Sequence, residues 1–338
     1  MSTGRRTAAS VISFAVLMVM VFATMPARAA APADLGVVLD QAARLKPLET
    51  VIIAQDGRVL AERGYRGHKT TNPTNIKSVS KSIMSALVGI AIDKGLLQGP
   101  DQRIAPLLAG DLPAKPDPRI ERITIGHLLS MQAGLARTSG PNYGRWVTSR
   151  NWVRSALAQP FVDEPGGVML YSTGSTHLLS AILTRVSGRS TLALAREWLG
   201  PTGRFAIADW RRDPQGVHLG GNEMAMTPRS LLAFGELYRT GGTGTAGRQI
   251  IPASWIEQSW TPRTESRFTG DAYGYGWFMR EIDGIEVRYA WGYGGQMLYV
   301  VPSMAVTVVM TSDADQPSAR SGYRDALHDL LRQILAAL

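Results

Sequence analysis

The stretch AYGYGWFMREIDGIEVRYAWGYGGQMLYVVPSMAVTVVMTSD, residues 272–313, decides the fold. Apolar and polar residues alternate, aromatic and β-branched side chains are dense, and turn signals fall at Asp283-Gly284 and Pro302-Ser303. This texture predicts three or four antiparallel strands. A partner lies near the other end of the chain. In ETVIIAQDGRVLAERGY, residues 49–65, two apolar strands flank Asp56-Gly57, a strong two-residue hairpin turn. Strands near both ends with helices between them imply one antiparallel sheet built from both ends and a helical region inserted into it.

The helices follow from period and punctuation. Residues 34–46 place Leu35, Val38, Leu39, Ala42 and Leu45 on one face. Residues 76–95, IKSVSKSIMSALVGIAIDKG, read as a long helix that is apolar nearly all round, the mark of a buried helix. TIGHLLSMQAGL (124–135) opens on Thr124 as N-cap, and TGSTHLLSAILTRVSG (173–188) ends at Gly188. MTPRSLLAFGELYRTGG (226–242) has Thr227 as cap, Pro228 at the first helical position and a Gly-Gly stop. A last helix spans 318–338. The fold class is therefore α+β: an α/β sandwich with a central antiparallel sheet, about residues 30–95 and 266–338, and a mostly helical region at about 96–265, within one domain of 30–338.

Composition agrees with a folded globular chain: 338 residues, 45% hydrophobic, 19% charged, mean hydropathy close to zero. The first 29 residues read as a signal peptide. Arg5-Arg6 precede the apolar run 8–24, and Ala27-Arg28-Ala29 fits a small-x-small cleavage site. The alternative is a retained anchor helix. With cleavage, the expected location is periplasmic or secreted, with no stable membrane span afterwards. The net charge is +9, three units of which lie on Arg5, Arg6 and Arg28, leaving +6. The arginines are scattered, with no basic stripe, so nucleic acid is not an expected partner. The absence of cysteine excludes disulfides, a thiolate nucleophile and cysteine-ligated metal. The five histidines (68, 127, 177, 218, 328) form no ligand spacing, and no metal or cofactor is expected. His127 and His177 read as packing or surface residues.

No serine has glycine at both −2 and +2, so the nucleophile elbow is missing, as is H-E-x-x-H. What remains is Ser78-Val79-Ser80-Lys81. On a helix, i and i+3 share a face, so the Lys81 amine can reach the Ser78 hydroxyl. Serine needs a base to become a nucleophile, and lysine serves as one only if burial lowers its pKa. The apolar run that follows could supply that burial. Of six lysines, only Lys81 has a serine three residues before it. The plain alternative is a lysine that snorkels from the first turn of a core helix.

In combination and order, these motifs resemble the class C serine β-lactamases and their relatives: penicillin-binding esterases, D-aminopeptidase-like enzymes and 6-aminohexanoate-dimer hydrolases, the last being nearest in character. The resemblance spans about residues 34–335, through SVSKSIMSALVGIAIDKGLL, ITIGHLLSMQAGL, YSTGSTHLLSAIL, GGNEMAMTPRSLLAFGELY, YGYGWF and WGYGGQMLYVVP. It implies a β-lactamase/transpeptidase-like fold, Ser78 as acylated nucleophile, Lys81 as general base and Tyr171 sharing the proton traffic. From the residues alone, Tyr171 reads as a packing tyrosine at a loop–helix junction. The resemblance also implies an oxyanion hole from the Ser78 N–H and one near Gly294, Gly295 and Gln296. Two positions depart from the pattern. Thr173 stands where many relatives have Asn, and Ala290-Trp291-Gly292 stands in place of K-T-G or H-x-G, with no cation. Trp291 is a candidate pocket wall, or else a core-strand aromatic. The expected substrate is a small ester or amide, a short peptide or an oligoamide, with β-lactams disfavoured. A β-lactamase or D-amino-acid peptidase and a non-catalytic, penicillin-binding-protein-like envelope-binding protein are the rivals, and oligomeric state is left open.

Overall fold

The computed structural model describes residues 1, 2, 4, 34–319 and 321–338. The expected leader falls almost wholly outside these residues. Among the described residues no helix is long and apolar enough to cross a membrane.

The strands are β1 Leu48–Gln55, β2 Arg58–Gly64, β3 Thr74–Asn75, β4 Asp209–Trp210, β5 Met224–Met226, β6 Thr264–Glu265, β7 Ala272–Tyr273, β8 Phe278–Ile282, β9 Ile285–Gly292, β10 Gln296–Val301 and β11 Val306–Ser312. Eight of them form one sheet in the order β2-β1-β11-β10-β9-β8-β7-β6. All its pairings are antiparallel. The junction between the chain ends is β1 against β11, with Val51 opposite Met310 and Ile53 opposite Val308. Asp56 and Gly57 both take positive φ, +49° and +78°, as the hairpin turn requires.

Around the sheet lie α1 Leu35–Ala42, α2 Ser80–Asp93, α3 Ile125–Leu129, α4 Tyr143–Val147, α5 Trp152–Leu157, α6 Thr173–Ser187, α7 Thr191–Leu199, α8 Pro228–Arg239, α9 Ala253–Ser259 and α10 Tyr323–Ala336. Both faces of the sheet are covered. Val51, Ile53, Tyr299 and Met310 face α1 and α10; Ile52, Leu298, Val300 and Val309 face α8 and the helical region. This explains why β10 and β11 are buried at every position, although antiparallel strands often leave one face wet.

The helical region differs from expectation in two places. A second sheet, β3-β5-β4, takes β4 and β5 from it and β3 from the segment just before α2. The helix expected over 124–135 stops at Leu129, because Met131 adopts φ +64° and Gly134 φ +78°. The chain then turns back, and Met131 O accepts a bond from Leu170 N at 2.8 Å. Likewise, the helix expected from 76 begins at Ser80, after a 3-10 turn over Lys77–Val79.

Candidate active site

The 3-10 turn puts Ser78 ahead of α2, partly exposed, while Lys81 lies in the first turn of α2 and is 1% exposed. Residues Ser80 to Ala91 are all buried, so the amine has no route to water along its own helix. Lys81 Nζ donates to Gly221 O at 2.7 Å, to Ser78 Oγ at 3.1 Å and to Thr173 Oγ1 at 3.3 Å. These three bonds match its three protons. No neighbouring charge contributes: burial alone pulls the amine down to about 7. Desolvation penalises the ammonium and leaves the free base as its neutral alternative.

Tyr171 comes to the same point from the segment before α6. Lys81 Nζ lies 5.0 Å from its ring centroid. Burial holds its phenol up at about 12, against the opposing pull of a hydrogen bond with Ser78. The ring is fixed on the far side by a stack on Phe278 (6.2 Å, 24°) and an edge contact with Tyr273 (6.3 Å, 73°).

Thr173, the first residue of α6, lies between the amine and the loop that carries Thr138 and Ser139. Its Oγ1 is 2.9 Å from Ser139 Oγ, and its N–H donates to Ser139 Oγ at 2.8 Å. The next N–H, of Gly174, donates to Thr138 Oγ1 at 2.8 Å. A helix start needs acceptors for its first amides. Here two hydroxyls from a loop 34 to 36 residues away provide them. Gly221, missed by sequence reasoning, passes directly over the lysine stem. With φ +84°, a Cβ there would lie 2.3 Å from Thr176 Oγ1 and 2.8 Å from Lys81 Cγ. Only glycine fits, and the Gly220-Gly221 pair was the available signal.

The β9–β10 end is placed differently from expectation. Gly292 is the point of β9 nearest the nucleophile turn: a Cβ there would lie 2.5 Å from Ile76 O and 3.1 Å from Lys77 Cβ. Gly294 and Gly295 instead press against Asp313 O and the Tyr323 ring, and the Gly295 N–H is spent on Gly292 O at 3.1 Å. Gln296 turns to β11: its Nε2 donates to Ser312 O (2.6 Å) and its Oε1 accepts from Ser312 N (3.2 Å). Of the groups expected at Ser78, the Gly295 N–H is thus taken by the loop's own turn and the Gln296 side-chain amide by cross-strand bonds. Trp291 points to the face of the sheet opposite Gly292. There it packs on Phe278 (6.3 Å), under the Arg324 guanidinium (5.4 Å), and donates to Ser318 Oγ at 3.3 Å. Of the two histidines, His127 joins a reciprocal cap with Thr124, and His177 is buried against Asp213 at 3.1 Å. Among the described residues no cluster of His, Asp and Glu could hold a metal ion.

An antiparallel sheet between helical layers, with a serine–lysine–tyrosine group at the start of the buried helix, defines a hydrolase fold of the β-lactamase/transpeptidase type. The chain belongs to the Beta-lactamase family, whose pattern it matches over residues 43–333. It is similar to the 6-aminohexanoate-dimer hydrolase of Paenarthrobacter ureafaciens, 26% identical over 86% of this chain and 81% of that one. A protein described as probable fimbrial assembly protein FimD, serogroup H1, of Dichelobacter nodosus is 33% identical over 144 residues, 40% of this chain. That match spans only 36% of the FimD chain. Two solved structures share the fold. One is a penicillin-binding protein homologue from Caulobacter crescentus (TM-score 0.70, 18% identity, 90% and 96% of the two chains). The other is EstCE1, a hydrolase with promiscuous acyltransferase activity (TM-score 0.69, 21% identity, 90% and 97%).

Proposed function

We propose that the chain is a serine hydrolase that cleaves an ester or amide through an acyl-enzyme on Ser78. One observation carries this reading: Lys81 Nζ, held at about 7 by burial alone, lies 3.1 Å from Ser78 Oγ. In the free-base form its lone pair takes the Ser78 proton as the Oγ–carbon bond forms and the carbonyl electron pair moves onto oxygen. Collapse of that adduct breaks the bond to the leaving amine or alcohol. Tyr171, protonated at neutral pH, delivers the leaving group's proton and recovers its own from Lys81. Water then repeats the sequence and frees the acid. We assign the oxyanion donors to the Ser78 N–H and to the N–H of Tyr293, the residue after Gly292.

The neutral Ala290-Trp291-Gly292 segment favours esters and amides over β-lactams, because it offers no cation for a substrate carboxylate. Likeness to the Paenarthrobacter enzyme places short oligoamides, the 6-aminohexanoate dimer among them, in the test panel. Intact-mass detection of the adduct formed with a fluorophosphonate, a nitrophenyl ester, that dimer and a chromogenic cephalosporin tests the reading. Ser78→Ala should abolish labelling and turnover; persistent labelling in that variant would defeat the assignment. An inert wild type that still binds peptides would favour the non-catalytic reading. We further propose export by the N-terminal leader, with a mature N-terminus near Ala30. N-terminal sequencing of the exported protein checks this.

A further inference from the structure

Two residues beside this site hold a backbone conformation that side chains rarely adopt. Lys77, immediately before the nucleophile, has φ +49°, and Glu223, two residues after Gly221, also has φ +49°. Such outliers persist only where the surroundings over-determine them, and they mark places where geometry is being held. Here the two are joined to each other. Glu223 Oε2 accepts from Asn75 Nδ2 at 2.9 Å, and Glu223 Oε1 lies 3.5 Å from Lys77 Nζ, with both charged side chains mostly buried (27% and 15% exposed). Asn75 Oδ1 in turn accepts from the Lys77 N–H at 3.0 Å, and Lys77 O accepts from Ser80 Oγ at 2.7 Å. Lys77 is thus fixed at its amide, its carbonyl and its ammonium.

The two segments joined in this way carry the two halves of the reacting pair. One runs from β3 through Lys77 to Ser78. The other runs from Gly221, whose carbonyl aims Lys81, to Glu223 and β5. β3 and β5 pair backbone to backbone, with Asn75 opposite Ala225, and the Ile76 N–H adds one more bond to Met224 O at 2.9 Å; from there the Glu223 carboxylate carries the link on to Lys77. We infer that Glu223 is a positioning residue: its carboxylate clamps the Ser78 turn to the Gly221 loop and so sets the distance between nucleophile and base. It touches neither Ser78 nor Lys81, and the inference rests on their roles as proposed above.

A double-mutant cycle tests it. Wild type, Glu223→Gln, Lys77→Gly and the double variant are labelled with a fluorophosphonate, and the maximal acylation rate is separated from probe affinity. Lys77→Gly suits the left-handed backbone, so it removes the tether without straining the turn. Each single variant should acylate at least about tenfold more slowly with affinity within about threefold, because misplacement of a reacting group falls on rate and not on binding. The double variant should be no more than about twofold worse than the slower single, since both break one link. Wild-type rates in Glu223→Gln, or multiplicative losses in the double variant, overturn the clamp while leaving the hydrolase reading intact. A wild type that is not labelled at Ser78 overturns both. Should Glu223→Gln fail to fold, a Lys77→Gly variant that acylates at the wild-type rate is by itself sufficient to reject the inference.

Discussion

At the residue scale, the site turns on a lysine kept near 7 by desolvation without help from a neighbouring charge. The acid limb of the rate profile should therefore follow the loss of a proton from Lys81, with activity rising through about pH 7 and falling off below it. Stability moves in the same direction, over a higher pH window. The folded-state pKa lies below the unfolded value, so the unfolded chain binds more protons between about 7 and about 10.5. In that window stability rises with pH, and below it the cost of the buried ammonium is fully present. Lys81→Met should thus be inactive yet melt higher than wild type at pH 6, with the gap narrowing toward pH 10. Calorimetry across that range decides it. Tyr171→Phe keeps the stack on Phe278 and loses only the hydroxyl, with its proton and its hydrogen bond to Ser78, so kcat should fall by about 10²–10³-fold with little change in melting temperature. Ser78 and Lys81 were legible in the sequence because their link is local, three residues along one turn. Ser139 and Gly221 were not, since each is brought in by the fold from 58 or 140 residues away from Lys81 along the chain.

At the scale of elements, sequence reading succeeded where a local device sets the boundary. Thr227, Pro228 and the Gly241-Gly242 stop bracket α8, and Gly188 ends α6 in the left-handed conformation. It failed at α3. The apolar spacing through Leu128, Leu129 and Leu135 continues, but Met131 turns left-handed so that the loop can reach the start of α6. Tertiary packing overrode the period there. The β9–β10 turn misled for a similar reason: its glycines serve the approach of α10 and β11, and the strand end at Gly292 is what reaches the nucleophile turn. Gly221→Ala tests how tightly the loop over Lys81 is built. A left-handed backbone and a 2.3 Å clash should together cost about 2–3 kcal/mol and slow catalysis, read by denaturant unfolding and kcat.

At the scale of the molecule, the sheet spans both ends of the described domain, and that much was readable from the two hairpin regions. The small β3-β5-β4 sheet was not, because two- and three-residue strands leave no periodic trace. Load is divided between the two faces. Leu331 on α10 is fully buried against the face away from the nucleophile turn, so Leu331→Ala should cost about 2–5 kcal/mol while leaving kcat of the folded fraction unchanged. The site itself is assembled from four distant stretches: 75–81, 171–173, 221–223 and the end of β9 at Gly292. Gly276 closes the far side, where a Cβ would sit 2.9 Å from Lys81 O. This arrangement has a temporal meaning. A polypeptide still lacking its last hundred residues holds every hydrogen-bond partner of the amine, but it lacks Gly292 against the nucleophile turn and the Tyr273 and Phe278 rings that pin Tyr171. A nascent chain should therefore gain fluorophosphonate reactivity only once its closing strands are in place.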